Sequence, residues 1–176
     1  MDSNLLIIYL TVLLAILGGS SWFIVRQIFK TRKVDMSLER LENKLTQEKG
    51  TAQEYYELGS IYLEKNLFSQ AILLFQKALK SNDLEGEENT AIVYNALGYA
   101  HFCQEQYDIA IRQYKEALKL QPQYVTALNN LGHSYERKKL TAQAIEMYET
   151  ALRYEPDNDT AKRRVESLRK RVAISN

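Results

Sequence analysis

The chain has 176 residues and a formal net charge of +1, which gives scale for one modest folded domain plus accessory segments. Its one cysteine, Cys103, excludes an intrachain disulfide and a Cys-based zinc site and fits a reducing compartment. The seven glycines and two prolines all have places in repeats, loops or an apolar N-terminal run, leaving none for a phosphate-binding loop or a dinucleotide-binding turn.

Leu5–Val25 carries no charge, and as a helix its 21 residues would cover roughly 30 Å, the thickness of a bilayer core. Trp22 and Phe23 lie near its end, and Arg26, Lys30, Arg32 and Lys33 follow, against Asp2 alone on the other flank. This predicts a membrane anchor over residues 1–25 with the chain beyond it facing the compartment of synthesis, cytoplasm or stroma. A cleaved signal peptide would have a basic start, a shorter apolar core and a small-x-small site. Here Gly18–Ser21 leads into Trp-Phe-Ile-Val instead. Thr11, Ala15 and Gly19, with Gly18 beside them, form a small-residue stripe of the kind that lets membrane helices approach closely, though small residues are common in such helices anyway.

Residues 26–51 form a basic connector, +3 over 26–50. Val34, Leu38, Leu41 and Leu45 fall at 4–3–4 spacing, which predicts a short amphipathic helix; two heptads are too few for a coiled coil. Its expected role is to cover the exposed edge of the first repeat, with folding back over a binding groove as the alternative. Gly50-Thr51 marks a break.

Beyond that break the sequence repeats. Tyr94, Leu97, Gly98, His101, Ala110, Tyr114, Ala117 and Pro122 recur 34 residues later as Leu128, Leu131, Gly132, Tyr135, Ala144, Tyr148, Ala151 and Pro156. An earlier copy reads Tyr55, Leu58, Gly59, Tyr62, Ala71, Phe75 and Ala78, with about five residues inserted at the acidic run 85–90, expected to be a solvated loop. The first four positions are spaced i, i+3, i+4, i+7, one face of a first helix. The next three, at i, i+4, i+7, are one face of a second helix. The glycine lets the two approach closely, and the prolines stop the second helix. A 34-residue period with this pattern is the tetratricopeptide signature. No single helix pair buries its own face, so the copies at 52–85, 91–124 and 125–158 must stack. The predicted fold is all-α: an N-terminal transmembrane helix, a three-repeat helical solenoid and a capping helix.

The cap is residues 159–176. Ala161, Val165, Leu168 and Val172 make one apolar stripe over a predicted helix at 160–172, and six basic residues give this segment +4. The basic face is either solvated or drawn to an anionic membrane surface or an acidic partner. The repeat body, residues 51–158, is acidic at −5, which argues against nucleic acid as a partner.

The first helices also present a face opposite their packing face. The positions six before, three before, one after, four after and five after each glycine line it. They are Gln53, Tyr56, Ser60, Leu63 and Glu64, then Ile92, Asn95, Tyr99, Phe102 and Cys103, then Thr126, Asn129, His133, Glu136 and Arg137. Two apolar and aromatic copies followed by a polar one suit a partner segment with an apolar anchor and a polar end, unless some rings pack against neighbouring helices. The clamp that some tetratricopeptide co-chaperones close on chaperone tails needs Lys and Asn, Asn, then Lys and Arg. Tyr56, Ser60, Ala96, Thr126 and Asn130 stand there instead, which disfavours heat-shock protein tails.

The remaining reactive types read as structural. His101 takes the place of a packing aromatic, His133 reads as a groove contact rather than a metal ligand, and Cys103 as an inert thiol. Asn158-Asp159-Thr160 matches a glycosylation acceptor on the wrong side of the predicted membrane. No nucleophile, base or metal cluster converges, so neither catalytic, cofactor-binding nor metal residues are assigned and an enzyme is not expected.

The run 48–63, EKGTAQEYYELGSIYL, follows a single anchor and a basic connector and continues into Ser69-Gln70-Ala71-Ile72 and 75–80, FQKALK. In these residues and in the order of its segments the chain resembles the tetratricopeptide proteins, encoded in plastids and cyanobacteria, that assist photosystem I assembly. That resemblance implies a thylakoid location, repeats facing stroma or cytoplasm, photosystem I subunits or assembly intermediates as partners, and no catalytic residues. A tethering receptor at another membrane, or a permanent accessory subunit, are the other roles this architecture would serve.

Overall fold

A computed structural model describes residues 3–175 as eight helices. Asp2 of the acidic flank, and the side chains of Leu5, Lys30 and Lys33, lie outside the described residues. The chain divides into two units, Met1–Gln47 and Glu48–Asn176.

The first unit is a single helix, α1 (Ser3–Gln47), 45 residues long. This helix runs through both the predicted anchor and the predicted connector helix, and Gly18-Gly19 does not interrupt it. Tyr9–Ile28 has mean hydropathy 1.5 and no part of it is buried, so this segment is long and apolar enough to cross a membrane. Ser20 Oγ donates to the Ile16 carbonyl at 2.7 Å, and the Arg26 guanidinium lies 5.5 Å from the centre of the Trp22 ring.

The second unit contains α2 (Ala52–Glu64), α3 (Phe68–Leu79), α4 (Glu87–Cys103), α5 (Tyr107–Leu120), α6 (Val125–Arg137), α7 (Thr141–Tyr154) and α8 (Asp159–Ser175). They form three antiparallel-neighbour pairs, α2/α3, α4/α5 and α6/α7, and α8 closes the stack against α7. Each pair is locked at the same point. A Cβ added to Gly59, Gly98 or Gly132 would lie 2.7 Å from Phe75, 2.8 Å from Tyr114 or 2.9 Å from Tyr148. The ring of the second helix therefore rests directly on the glycine of the first, and all three rings are essentially solvent-free. Between pairs, Tyr114, Leu128, Leu131, Tyr148 and the α8 stripe Ala161, Val165 and Leu168 share one continuous core.

The turns between paired helices also repeat. The backbone N–H groups of Leu67, Gln106 and Leu140 donate to the carbonyls of Tyr62, His101 and Tyr135 at 2.8, 3.0 and 2.9 Å. The residue before each, Asn66, Glu105 and Lys139, has φ 60, the left-handed helix terminus that satisfies these carbonyls. At the far ends of α5 and α7, Gln121 and Glu155 are pushed to φ −135 and −126 by Pro122 and Pro156, because a residue preceding proline is excluded from the helical region.

The insert after the first copy is not wholly the loop the sequence predicts. Glu87 and Glu88 form the first turn of α4, which has 17 residues where α2 and α6 each have 13. Gly86 at φ 83 turns the chain into that helix, and acidic residues are favourable in a helix's first turn. Asp83, in the same connection, reaches back 31 residues to accept from the Ala52 N–H at 3.1 Å. Together with the Thr51–Glu54 capping box it seals the start of α2. The cap helix α8 is longer than its apolar stripe predicts and is itself capped by the Asn158 side chain, which accepts from the Ala161 N–H at 2.9 Å.

Candidate functional site

Within the repeat unit the first helices make the closer mutual approach. α2 meets α4 and α4 meets α6, with no comparable contact from α3 to α5 or from α5 to α7 among the described residues. The side carrying the first helices is therefore the inner side of the stack, and the residues at fixed offsets from each glycine lie on these helices.

At its N-terminal end, Ala52, Gln53, Tyr56, Leu84, Asn89, Ile92 and Val93 line a hollow of about 100 Å³. The extra turn of α4 supplies Asn89, a contribution the repeat pattern gave no sign of. Tyr56 is half-buried with its ring 5.8 Å from Phe75, and Ser60 Oγ donates to the Tyr56 carbonyl at 2.9 Å, leaving Leu63 half-buried one turn on.

The centre is aromatic. Tyr99 and Phe102 are nearly parallel, at 6.4 Å between ring centres and 9° between planes. Phe102 is also 4.8 Å from the His133 ring of the next repeat and 5.4 Å from Tyr107. Tyr99 is 42% exposed, so this shelf is open to solvent. Repulsion from the Cys103 sulfur, one turn beyond Tyr99, once that sulfur ionises at alkaline pH, pushes the phenol's pKa up, as burial does to a lesser degree. Burial raises the Cys103 thiol in turn, against the hydrogen bond with Tyr99, so the sulfur stays a protonated thiol rather than a nucleophilic thiolate.

The C-terminal end is polar and charged. His133, Glu136 and Arg137 share one face of α6. The Arg137 guanidinium lies 5.0 Å from the Tyr107 ring centre and 6.0 Å from that of Phe102, and it pairs with Glu105 at 3.3 Å. The Glu136 side chain is only 9% exposed. It accepts from Tyr148 Oη at 2.7 Å and pairs with Arg164 of α8 at 3.7 Å. Burial lowers the His133 pKa, and the charge of Arg164 and then Arg137 adds to that effect against the opposing pull of Glu136.

Two of the groove positions are tied into the scaffold. Asn95 Nδ2 donates to Tyr124 Oη and Asn129 Nδ2 to Asn158 Oδ1, each at 3.4 Å, the same bond made in successive repeats. Asn130 Nδ2 adds a 2.9 Å bond to Asn95 Oδ1. Thr126 is exposed at the margin. Arg164 is one of the six basic residues of the cap; that it reaches Glu136 of α6 depends on how α8 folds against the repeats, which no spacing within them reports. Tyr56, Ser60, Ala96, Thr126 and Asn130 occupy the clamp positions, so none of the five carries the required cation. Among the described residues no three His, Cys, Asp or Glu side chains converge as metal ligands would.

Family models described as "TPR repeat" match residues 98–139, and as "Tetratricopeptide repeat" residues 52–83 and 125–158. They describe interaction repeats and indicate no catalytic family. The chain is 39% identical to the ycf37 protein of Cyanophora paradoxa over 94% of this chain and 95% of that one. It is 36% identical to the chloroplastic tetratricopeptide repeat domain-containing protein PYG7 of Arabidopsis thaliana over 94% of this chain, and spans 55% of PYG7's length. Among solved structures, MamA superposes with TM-score 0.73 at 22% identity over 82% of this chain and 81% of MamA, and the first repeat domain of Spaghetti (RPAP3), bound to an HSP90 peptide, with TM-score 0.64 at 20% identity over 69% and 93%. At that identity the likeness is one of fold.

Proposed function

The chain belongs to the ycf37 family of tetratricopeptide-repeat proteins, and we propose that it is a membrane-anchored scaffold that holds protein partners on its inner surface during assembly of photosystem I. The observation that carries the anchor is Tyr9–Ile28, apolar, unburied and continuous with the helix that leads to the repeats. The thylakoid and photosystem I parts of the reading rest on the resemblance in residues 48–63 and in segment order; the chloroplastic relative in Arabidopsis fits a plastid location. With basic residues following the apolar segment, the repeats face stroma or cytoplasm. The missing clamp cations count against chaperone tails as the partner, although such a tail sits on the Spaghetti domain.

The test is a pull-down from detergent-solubilised native membranes with a mass-spectrometric inventory. Substoichiometric recovery with unfinished photosystem I complexes supports the assembly role. Soluble cargo without photosystem subunits would replace it with a tethering receptor, and stoichiometric presence in finished complexes with a permanent subunit. A chain beginning at Arg26 should lose membrane retention and keep its helix content.

A further inference from the structure

We propose that the C-terminal end of the inner surface selects an acidic protein segment, one that sets a large apolar side chain on the Tyr99–Phe102 shelf and a carboxylate against Arg137 and Arg164. The proposal rests on the inner surface being the protein-binding face and adds the chemistry of its partner. Arg137 is 47% exposed and Arg164 43%, whereas the carboxylate between them, Glu136, is covered and has both oxygens engaged, one by Tyr148 and one by Arg164. Of the charges this corner exposes, two are guanidiniums and one is the Glu105 carboxylate, a surplus of one positive charge although its four formal charges cancel. Glu136 also fixes Arg164, and the rings of Phe102 and Tyr107 fix Arg137, so both guanidiniums are held before a ligand arrives. The other acidic neighbour, Glu105, is 74% exposed, and an exposed pair of this kind is worth at most about 1 kcal/mol, so an incoming carboxylate displaces it readily. The His133 pKa is depressed chiefly by burial, and the charge of Arg164 acts in the same direction against the pull of Glu136. Outside Glu105, Glu136 and Arg137, residues 51–158 sum to −4, which repels an acidic segment from the rest of the body and fixes its direction along the surface.

The experiment pans the full chain, held in non-ionic detergent micelles, against a phage-displayed library of random dodecapeptides. Three proteins are compared: the unmodified chain, Arg137→Gln with Arg164→Gln, and Tyr99→Ala with Phe102→Ala. The unmodified chain should enrich peptides with an aromatic or large aliphatic residue followed, within one helical turn's length, by Asp or Glu. A synthetic consensus peptide should lose about tenfold in affinity when its acid becomes the amide, the scale of one charge-assisted contact. The double arginine variant should bind both versions equally. Enrichment that depends on Tyr99 and Phe102 but shows no preference for acids would overturn the acidic-segment proposal and leave the protein-binding surface standing. No enrichment, or enrichment indifferent to both pairs of substitutions, would overturn the surface reading itself.

Discussion

The second repeat departs from its neighbours at two positions that touch. Where the first and third copies have Tyr62 with Leu67 and Tyr135 with Leu140, the second has His101 with Gln106. His101 is 8% exposed, and its Nδ1 lies 2.6 Å from Gln106 Oε1. With an amide oxygen facing it, Nδ1 is the donor. Gln106→Leu strips that donor of its partner inside the stack and should cost about 1–3 kcal/mol, the penalty of a buried unsatisfied polar group. His101→Tyr leaves the Gln106 amide, which is exposed, to water, and should cost about 1 kcal/mol or less. The double variant recreates the pairing of the flanking copies and should return close to the parent stability, since replacing both partners by apolar groups is nearly neutral. The coupling energy is then about 1–3 kcal/mol in favour of the matched pairs. Urea unfolding of the full chain in micelles, followed by far-ultraviolet circular dichroism, measures it. If the double variant loses the sum of the two single losses, the positions are independent and the matched pair is an illusion of proximity.

Three other outcomes rest on the same repeat unit. Gly98→Ala puts a Cβ 2.8 Å from Tyr114 Cε1. The forced shift of a solvent-free ring should cost about 1–3 kcal/mol, partly offset by about 1 kcal/mol of helix propensity, so a urea midpoint that fails to fall would show the ring gives way freely. Lys139→Gly relieves a left-handed backbone at φ 60 and should stabilise by about 1 kcal/mol, read as a rise in melting temperature. His133 has a folded pKa below its ordinary 6.5, so the unfolded chain binds more protons between the two values. The neutral-ring contribution is complete above 6.5 and is lost as pH falls from there through the folded pKa. Stability should therefore decline as the solution is acidified from neutral pH, and His133→Gln should flatten that decline; equal slopes would place its source elsewhere.

The repeat architecture was legible because each packing position appears in more than one copy. Leu97 and Leu131, or Tyr114 and Tyr148, act as replicate measurements of one environment, and the small or ring side chains each demands are few. The insert was less legible. Its charge reads as solvent exposure, and Glu87 and Glu88 are indeed exposed, but exposure does not distinguish a loop from an added first turn whose outer face is wet. The decision lies in Gly86, able to take φ 83 and redirect the chain, which a sequence pattern registers only as another glycine. That anchor and connector lie on one helix has a different reason: a change in side-chain polarity need not be a change in backbone conformation, and nothing in residues 22–40 stops a helix.

The inner surface is where replication ends, and with it the power of reading one copy from another. Asn95 and Asn129 recur at equivalent offsets and prove to hold equivalent scaffold bonds, through Tyr124 and Asn158. Tyr99 and His133 share another offset and differ in chemistry, one an open phenol beside Cys103, the other a half-buried ring packed on Phe102 and within reach of the charges of Arg164 and Arg137. Where two copies need the same scaffold bond the residue recurs, whereas a ligand-facing position answers to whatever part of the partner lies over that copy. Difference between copies at one offset is thus the better guide to recognition, and by that measure the surface changes from an apolar hollow beside Tyr56 and Ile92, through the Tyr99–Phe102 shelf, to the cationic corner of Arg137 and Arg164. The last of these belongs half to α8, so the capping helix does more than close the core: it completes the end of the surface that the third repeat leaves unfinished.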